Sequence, residues 1–95
     1  MTTAGAVLTT RSKKMHELSL AQGLLDQLGG LAVEHGASRI VTVHVDIGTD
    51  AGIVVDSFSF GFDAIKGSDK LTENAVLEIK RTPGPDLILT RVEME

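Results

Sequence analysis

Ninety-five residues amount to one domain, since chains divide only where a single core stops growing, well above this length. The hydrophobic share is 42% but aromatic residues are only 3%, all Phe, so the core must be aliphatic, and the absence of cysteine excludes a disulfide framework, a thiolate zinc site, an iron–sulfur cluster and a cysteine nucleophile. Arg11, Lys13 and Lys14 sit together without an acid in residues 1–14, leaving 6 basic and 13 acidic side chains in residues 15–95, and this acidic body, with no basic patch or stacking platform, argues against nucleic acid as a partner.

In chain order, residues 1–14 show neither helical nor strand periodicity and are expected to form a flexible tail. Their basic residues follow the short apolar stretch 4–8, the reverse of a signal peptide, and no apolar run approaches the roughly 20 residues of a membrane span. A soluble cytoplasmic protein without a membrane partner is expected. Met15 opens the first periodic segment, so translation could begin at Met1 or at Met15. From His16 to His35, Leu18, Ala21, Leu25, Leu28 and Ala32 recur at spacings of three and four, with Leu24 and Leu31 widening the stripe, which predicts an amphipathic helix. Gly23, Gly29 and Gly30 weaken it, and Gly36 is placed to end it in a left-handed conformation.

Residues 39–48 alternate strictly, Val41, Val43, Val45 and Ile47 against Thr42, His44 and Asp46, and predict a half-buried strand. Residues 53–66 fit two periods: Ser57 to Phe62 alternates like a strand, whereas Val54 or Val55, Phe58, Phe62 and Ile65 share a helical face. A second strand is expected from about Lys70 to Arg81, with Leu77 and Ile79 opposite Glu78 and Lys80. Pro83-Gly84-Pro85-Asp86 is a dense turn signal. A third strand over residues 87–95 sets Ile88, Val92 and Met94 against Arg91 and Glu93, and the short turn predicts that the last two strands pair antiparallel as neighbours.

Met15-His16-Glu17-Leu18-Ser19-Leu20 resembles the Met-His-Glu-x-Ser opening of the HypA/HybF family, the nickel metallochaperones of [NiFe]-hydrogenase maturation. Glu34-His35-Gly36-Ala37, the strand end Ile47-Gly48, the Phe58, Phe60, Phe62 cluster, Gly67 and the ending Val92-Glu93-Met94-Glu95 follow in the family's order, so the likeness covers residues 15–95. The resemblance implies an α+β, two-layer domain: helix, strand, helix, strand, strand, with a three-stranded mixed sheet, two helices on one face, and a helix over about residues 54–66. Two departures accompany it. The family's zinc subdomain, with two Cys-x-x-Cys pairs between the last strands, is replaced here by Thr82-Pro83-Gly84-Pro85-Asp86. The family's Met is its N-terminus, whereas Met15 follows Lys14.

From the resemblance, the metal residues are Met15, His16 and Glu17, Ni(II) is the possible metal, and no zinc is expected. An α-amine, the next amide nitrogen and that residue's imidazole form fused chelate rings in a plane, which suits Ni(II). The implied partner is a HypB-like GTPase or a hydrogenase large subunit, met at the start of the first helix. The alternative is a metal-free adaptor or regulator of hydrogenase maturation. No catalytic residue is assigned: Ser57 and Ser59 have no expected histidine partner, and Asp56 with Asp63 reads as a solvated face. His44, with Asp46 near it and Glu78 expected across the sheet, also reads as solvated, His35 as a helix-end residue, Phe58 and Phe62 as core, and Phe60 as exposed.

Overall fold

The computed structural model describes residues 2–4 and 17–95. In chain order the elements are β1 (Thr2–Ala4), α1 (Glu17–His35), β2 (Ile40–Gly48), α2 (Val55–Ile65) with a 3-10 turn at Lys66–Ser68, β3 (Val76–Thr82) and β4 (Leu87–Met94). The expected helix, strand, helix, strand, strand order is present, as are the mixed sheet and the helices on one face. Strand β1 adds a fourth, edge strand of three residues, too short for its alternation to be legible in sequence. It pairs antiparallel with β4, Thr3 opposite Glu93. The remainder of the expected tail lies outside the described residues.

The order β1-β4-β2-β3 corrects the expected hairpin. Strands β3 and β4 are not neighbours; they flank β2, β3 parallel to it and β4 antiparallel. Burial explains the arrangement. Beside β2 and beneath the helices, Leu87, Leu89, Val92 and Met94 of β4 are almost completely buried, whereas Glu78, Lys80 and Arg81 of β3 are exposed at the sheet edge. A hairpin would have exchanged these positions, carrying four apolar side chains to the margin. The turn at 83–86 instead crosses the C-terminal end of β2. Thr82 O accepts from Thr49 N (2.8 Å), Gly84 O from Asp50 N (2.9 Å) and Asp86 O from Gly48 N (2.8 Å). A Cβ on Gly48 would fall onto the Gly84 carbonyl, so this crossing requires glycine.

Two further expectations shift. Strand β3 begins at Val76 rather than near Lys70, because Asp69 Oδ1 accepts from Leu71 N and Thr72 Oγ1 donates to Lys66 O, tying the chain into turns. In β4 the register slips between His44–Arg91 and Val45–Leu89, leaving Thr90 as a bulge. The bulge reverses the parity, so Leu87 and Leu89 share the core face with Val92 and Met94 while Ile88 turns to the other face.

The core joins Leu20, Ala21, Leu24, Leu28 and Ala32 of α1 and Phe58 and Phe62 of α2 to Val43, Val45, Ile47 and the four buried β4 side chains. The buried face of α1 is rotated from the expected stripe: Leu20 and Leu24 are its centre, Leu25 is partly covered and Leu18 is exposed. Helix α2 packs against α1 beside this face. Gly61 is buried against Leu18 and Ala21, its Cβ position 3.5 Å from Leu18 Cδ1, and draws the helices together there. Helix α1 ends as the sequence suggests, with Gly36 at φ 64°, Ala37 N donating to Ala32 O and Gly36 N to Val33 O, a Schellman closure.

Candidate functional site

Of the three residues assigned to the metal, Met15 and His16 lie outside the described residues. Glu17 opens α1 and is half-buried. Its carboxylate Oε2 accepts from Val54 N at 3.4 Å, immediately before α2. Val54 offers no side-chain cap, so Glu17 supplies from the neighbouring helix an anion for the positive end of α2. A second duty thus attaches to a residue assigned to metal binding. It was not legible in sequence, because the donor is a backbone amide 37 positions away.

Chain direction explains the juxtaposition. Helix α1 ends where β2 begins, so α1 runs back against β2 and its start lies beside the C-terminal end of that strand; α2 also starts there, seven residues after Gly48. Around this end Leu18 and Val54 are exposed, and Phe60 projects from α2 with 77% of its surface accessible. Phe58 and Phe62 are fully buried, as expected for this cluster.

The remaining candidates lie apart. Among the described residues there is no group of three or more metal-binding side chains. On the sheet face opposite the helices, His44 is in register with Glu78 on one side and Arg91 on the other, but its Nε2 meets Glu93 Oε1 at 2.8 Å. Glu93 lies opposite Thr42, two residues along the regular part of the β2–β4 register, and is the diagonal neighbour of His44 on the same face. The hydrogen bond from His44 holds the Glu93 carboxyl below the ordinary carboxylate range; partial desolvation opposes this, while the charges of Arg91 and His44 reinforce it. His44 and Glu93 form a local polar pair on an open face. His35 is exposed in the last turn of α1, and Asp63 is exposed with Lys66 Nζ at 3.3 Å.

Together, two helix starts at one end of a mixed sheet define a small α+β domain whose start of α1 continues from a Met-His-Glu tripeptide. The family model described as "Hydrogenase/urease nickel incorporation, metallochaperone, hypA" matches residues 15–85, and the chain belongs to this HypA family. The hydrogenase maturation factor HypA of Roseiflexus sp. (strain RS-1) is 41% identical over 69 residues, covering 73% of this chain and 55% of that protein. Its counterpart from Paracoccus denitrificans (strain Pd 1222) is 39% identical over 71 residues, 74% of this chain and 61% of the relative. The chain therefore spans little more than half the length of these relatives. In fold it is similar to the Ni metallochaperone HypA from Helicobacter pylori, with a TM-score of 0.69 at 18% identity over 85% of this chain and 87% of that one.

Proposed function

We propose that this chain is a maturation accessory protein that carries Ni(II) as cargo at Met15, His16 and Glu17 and docks through the start of α1 onto a partner, either a HypB-like GTPase or a hydrogenase large subunit. The observation that carries this reading is the family match beginning at Met15, the first residue of the tripeptide. The exposed Leu18, Val54 and Phe60 near the same end supply apolar surface for a partner. No step of bond chemistry is assigned, so the protein acts as a carrier and not as an enzyme.

The imidazole of His16 and the carboxylate of Glu17 are ordinary nickel donors, and a free amine on Met15 would complete a planar set. With Lys14 attached, the Met15 nitrogen is an amide, much harder to deprotonate than an α-amine of pKa near 8. Removing residues 1–14 should tighten nickel binding at least about tenfold, roughly 1.4 kcal/mol, with a diamagnetic planar spectrum, and His16→Ala should abolish the gain. Calorimetry on the long form, the short form and the short His16→Ala form tests this. Equal affinity of the long and short forms would remove the amine from the ligand set.

A metal-free adaptor is the second reading, favoured by the bond that already engages Glu17 with Val54 N. It predicts partner capture insensitive to nickel and to His16→Ala, lost on Leu18→Asp.

A further inference from the structure

We infer that Glu17 is a switch between the cargo and helix α2: it holds the start of α2 while no metal is carried and leaves it when nickel binds, so that loading is felt at the face on which a partner docks. In the carrier reading above, on which this rests, Glu17 is a nickel donor. Three observations extend that reading. The Glu17 carboxylate is already engaged, its Oε2 accepting from Val54 N at 3.4 Å. Val54 is the N-cap of α2, in an extended conformation (φ −79°, ψ 107°) and without a side-chain cap bond of its own. Leu18, next to Glu17, and Val54 itself are exposed apolar side chains at the helix starts.

In a capping box the third residue of a helix, a Glu or Gln, reaches back to the N-cap N–H. That position in α2 holds Ser57, and Glu17 takes the part from α1, 37 positions before Val54. The bond is easily exchanged. At 3.4 Å and exposed, it is at the long limit for an N–H donor, so a small turn of the carboxylate breaks it and water takes its place. A metal on Glu17 competes directly, because it withdraws the negative charge that the Val54 N–H and the positive helix end both attract. Asp56 also complements the first turn of α2, and the Cβ position of Gly61 lies 3.6 Å from Leu18 Cα, so the helices stay packed and the change is confined to the residues around Val54. The coupling is reciprocal. A partner that docks on Leu18 and Val54 with α2 capped lowers the affinity for nickel by the same factor, which favours handover on docking.

Hydrogen exchange of the full chain, read by mass spectrometry over residues 53–58, and calorimetric nickel titration test the switch, with circular dichroism confirming that each variant is folded. Saturating nickel should raise exchange in that segment at least about threefold, and Glu17→Ala should give the same rise without nickel. Val54→Pro removes the N–H at a φ that suits the proline ring. It should tighten nickel binding about threefold, and the gain should vanish in combination with Glu17→Gln. Nickel binding that Glu17→Gln weakens but that leaves exchange over 53–58 unchanged would mean that one carboxylate serves metal and helix together, and would overturn the switch alone. So would a folded Val54→Pro variant that binds nickel no more tightly than the parent. A chain that binds no nickel, or binds it indifferently to Glu17→Gln, would overturn the carrier reading of Glu17 and the switch with it.

Discussion

Gly48→Ala is the sharpest test of how this sheet is built. The added Cβ would fall onto the carbonyl of Gly84, 2.6 Å from its carbon and 3.0 Å from Asp86 N, with backbone rather than a flexible side-chain tip as the obstacle. Relief requires the 83–86 turn to move by about 1 Å, because apolar contacts normally close near 3.5 Å. That movement strains the hydrogen bonds linking Gly48 N to Asp86 O, Thr49 N to Thr82 O and Asp50 N to Gly84 O. Each is worth about 1 kcal/mol net, partly recoverable from water at this exposed turn, and overpacking adds about 1–3 kcal/mol. The expected loss is about 2–4 kcal/mol, which in a domain of this size lowers the melting temperature by roughly 10–25 °C. Urea titration and thermal melting by circular dichroism measure it. A variant within about 0.5 kcal/mol of the parent would mean that the turn does not depend on close approach to β2.

Four other outcomes are expected. Gly29→Ala or Gly30→Ala should stabilise α1 by up to about 1 kcal/mol each, since a Cβ at either position meets nothing within 4 Å, and a lower urea midpoint would contradict this. Phe58→Ala should cost about 3–5 kcal/mol and Phe60→Ser less than about 0.5 kcal/mol, checked by the same titration. Because the folded pKa of Glu93 is lowered, its stabilising effect is fully present above the unfolded value near 4.3 and is lost as pH falls through the folded value; Glu93→Gln should therefore differ from the parent at about pH 6 and converge with it in acid. Melts with and without a strong chelator should coincide, since the chain has no thiolate to hold a structural metal, and a melt lowered by several degrees would refute that.

The elements most legible in sequence were those fixed by local chemistry. Gly36 after a periodic helix announced its own cap, and strict alternation marked β2. The Phe cluster sorted into two buried rings and one exposed ring once residues 54–66 were taken as helix. What failed depended on long-range competition. Pro83-Gly84-Pro85-Asp86 marks a turn, but its composition is silent on whether the turn reverses beside β3 or steps across β2; that depends on which of two strands has more apolar surface to bury. The faces of β4 were misjudged around Ile88 because a single bulged residue, Thr90, inverts the parity of everything before it. At the proposed metal tripeptide the sequence offered candidate donors, whereas the bond of Glu17 to the start of α2 came only from folding.

The topology also relates the two departures from the family that the sequence displays. Helix α1 runs against β2, so its first residue lies at the end of the sheet where β2 stops, α2 starts and the 83–86 turn crosses. Glu17 and the 83–86 connection therefore belong to the same end of the domain. The four-residue connection 83–86 crosses beside Gly48 at the end of the sheet where Glu17, Leu18 and Val54 also lie. The connection is held to the end of β2 by the backbone hydrogen bonds that Thr82, Gly84 and Asp86 accept. Strand β3 lies at the opposite margin from β1, and its last residue, Thr82, leads into the turn at the end of the sheet where α1 and α2 start, so a change in that turn is felt at the edge strand and at the helix starts together.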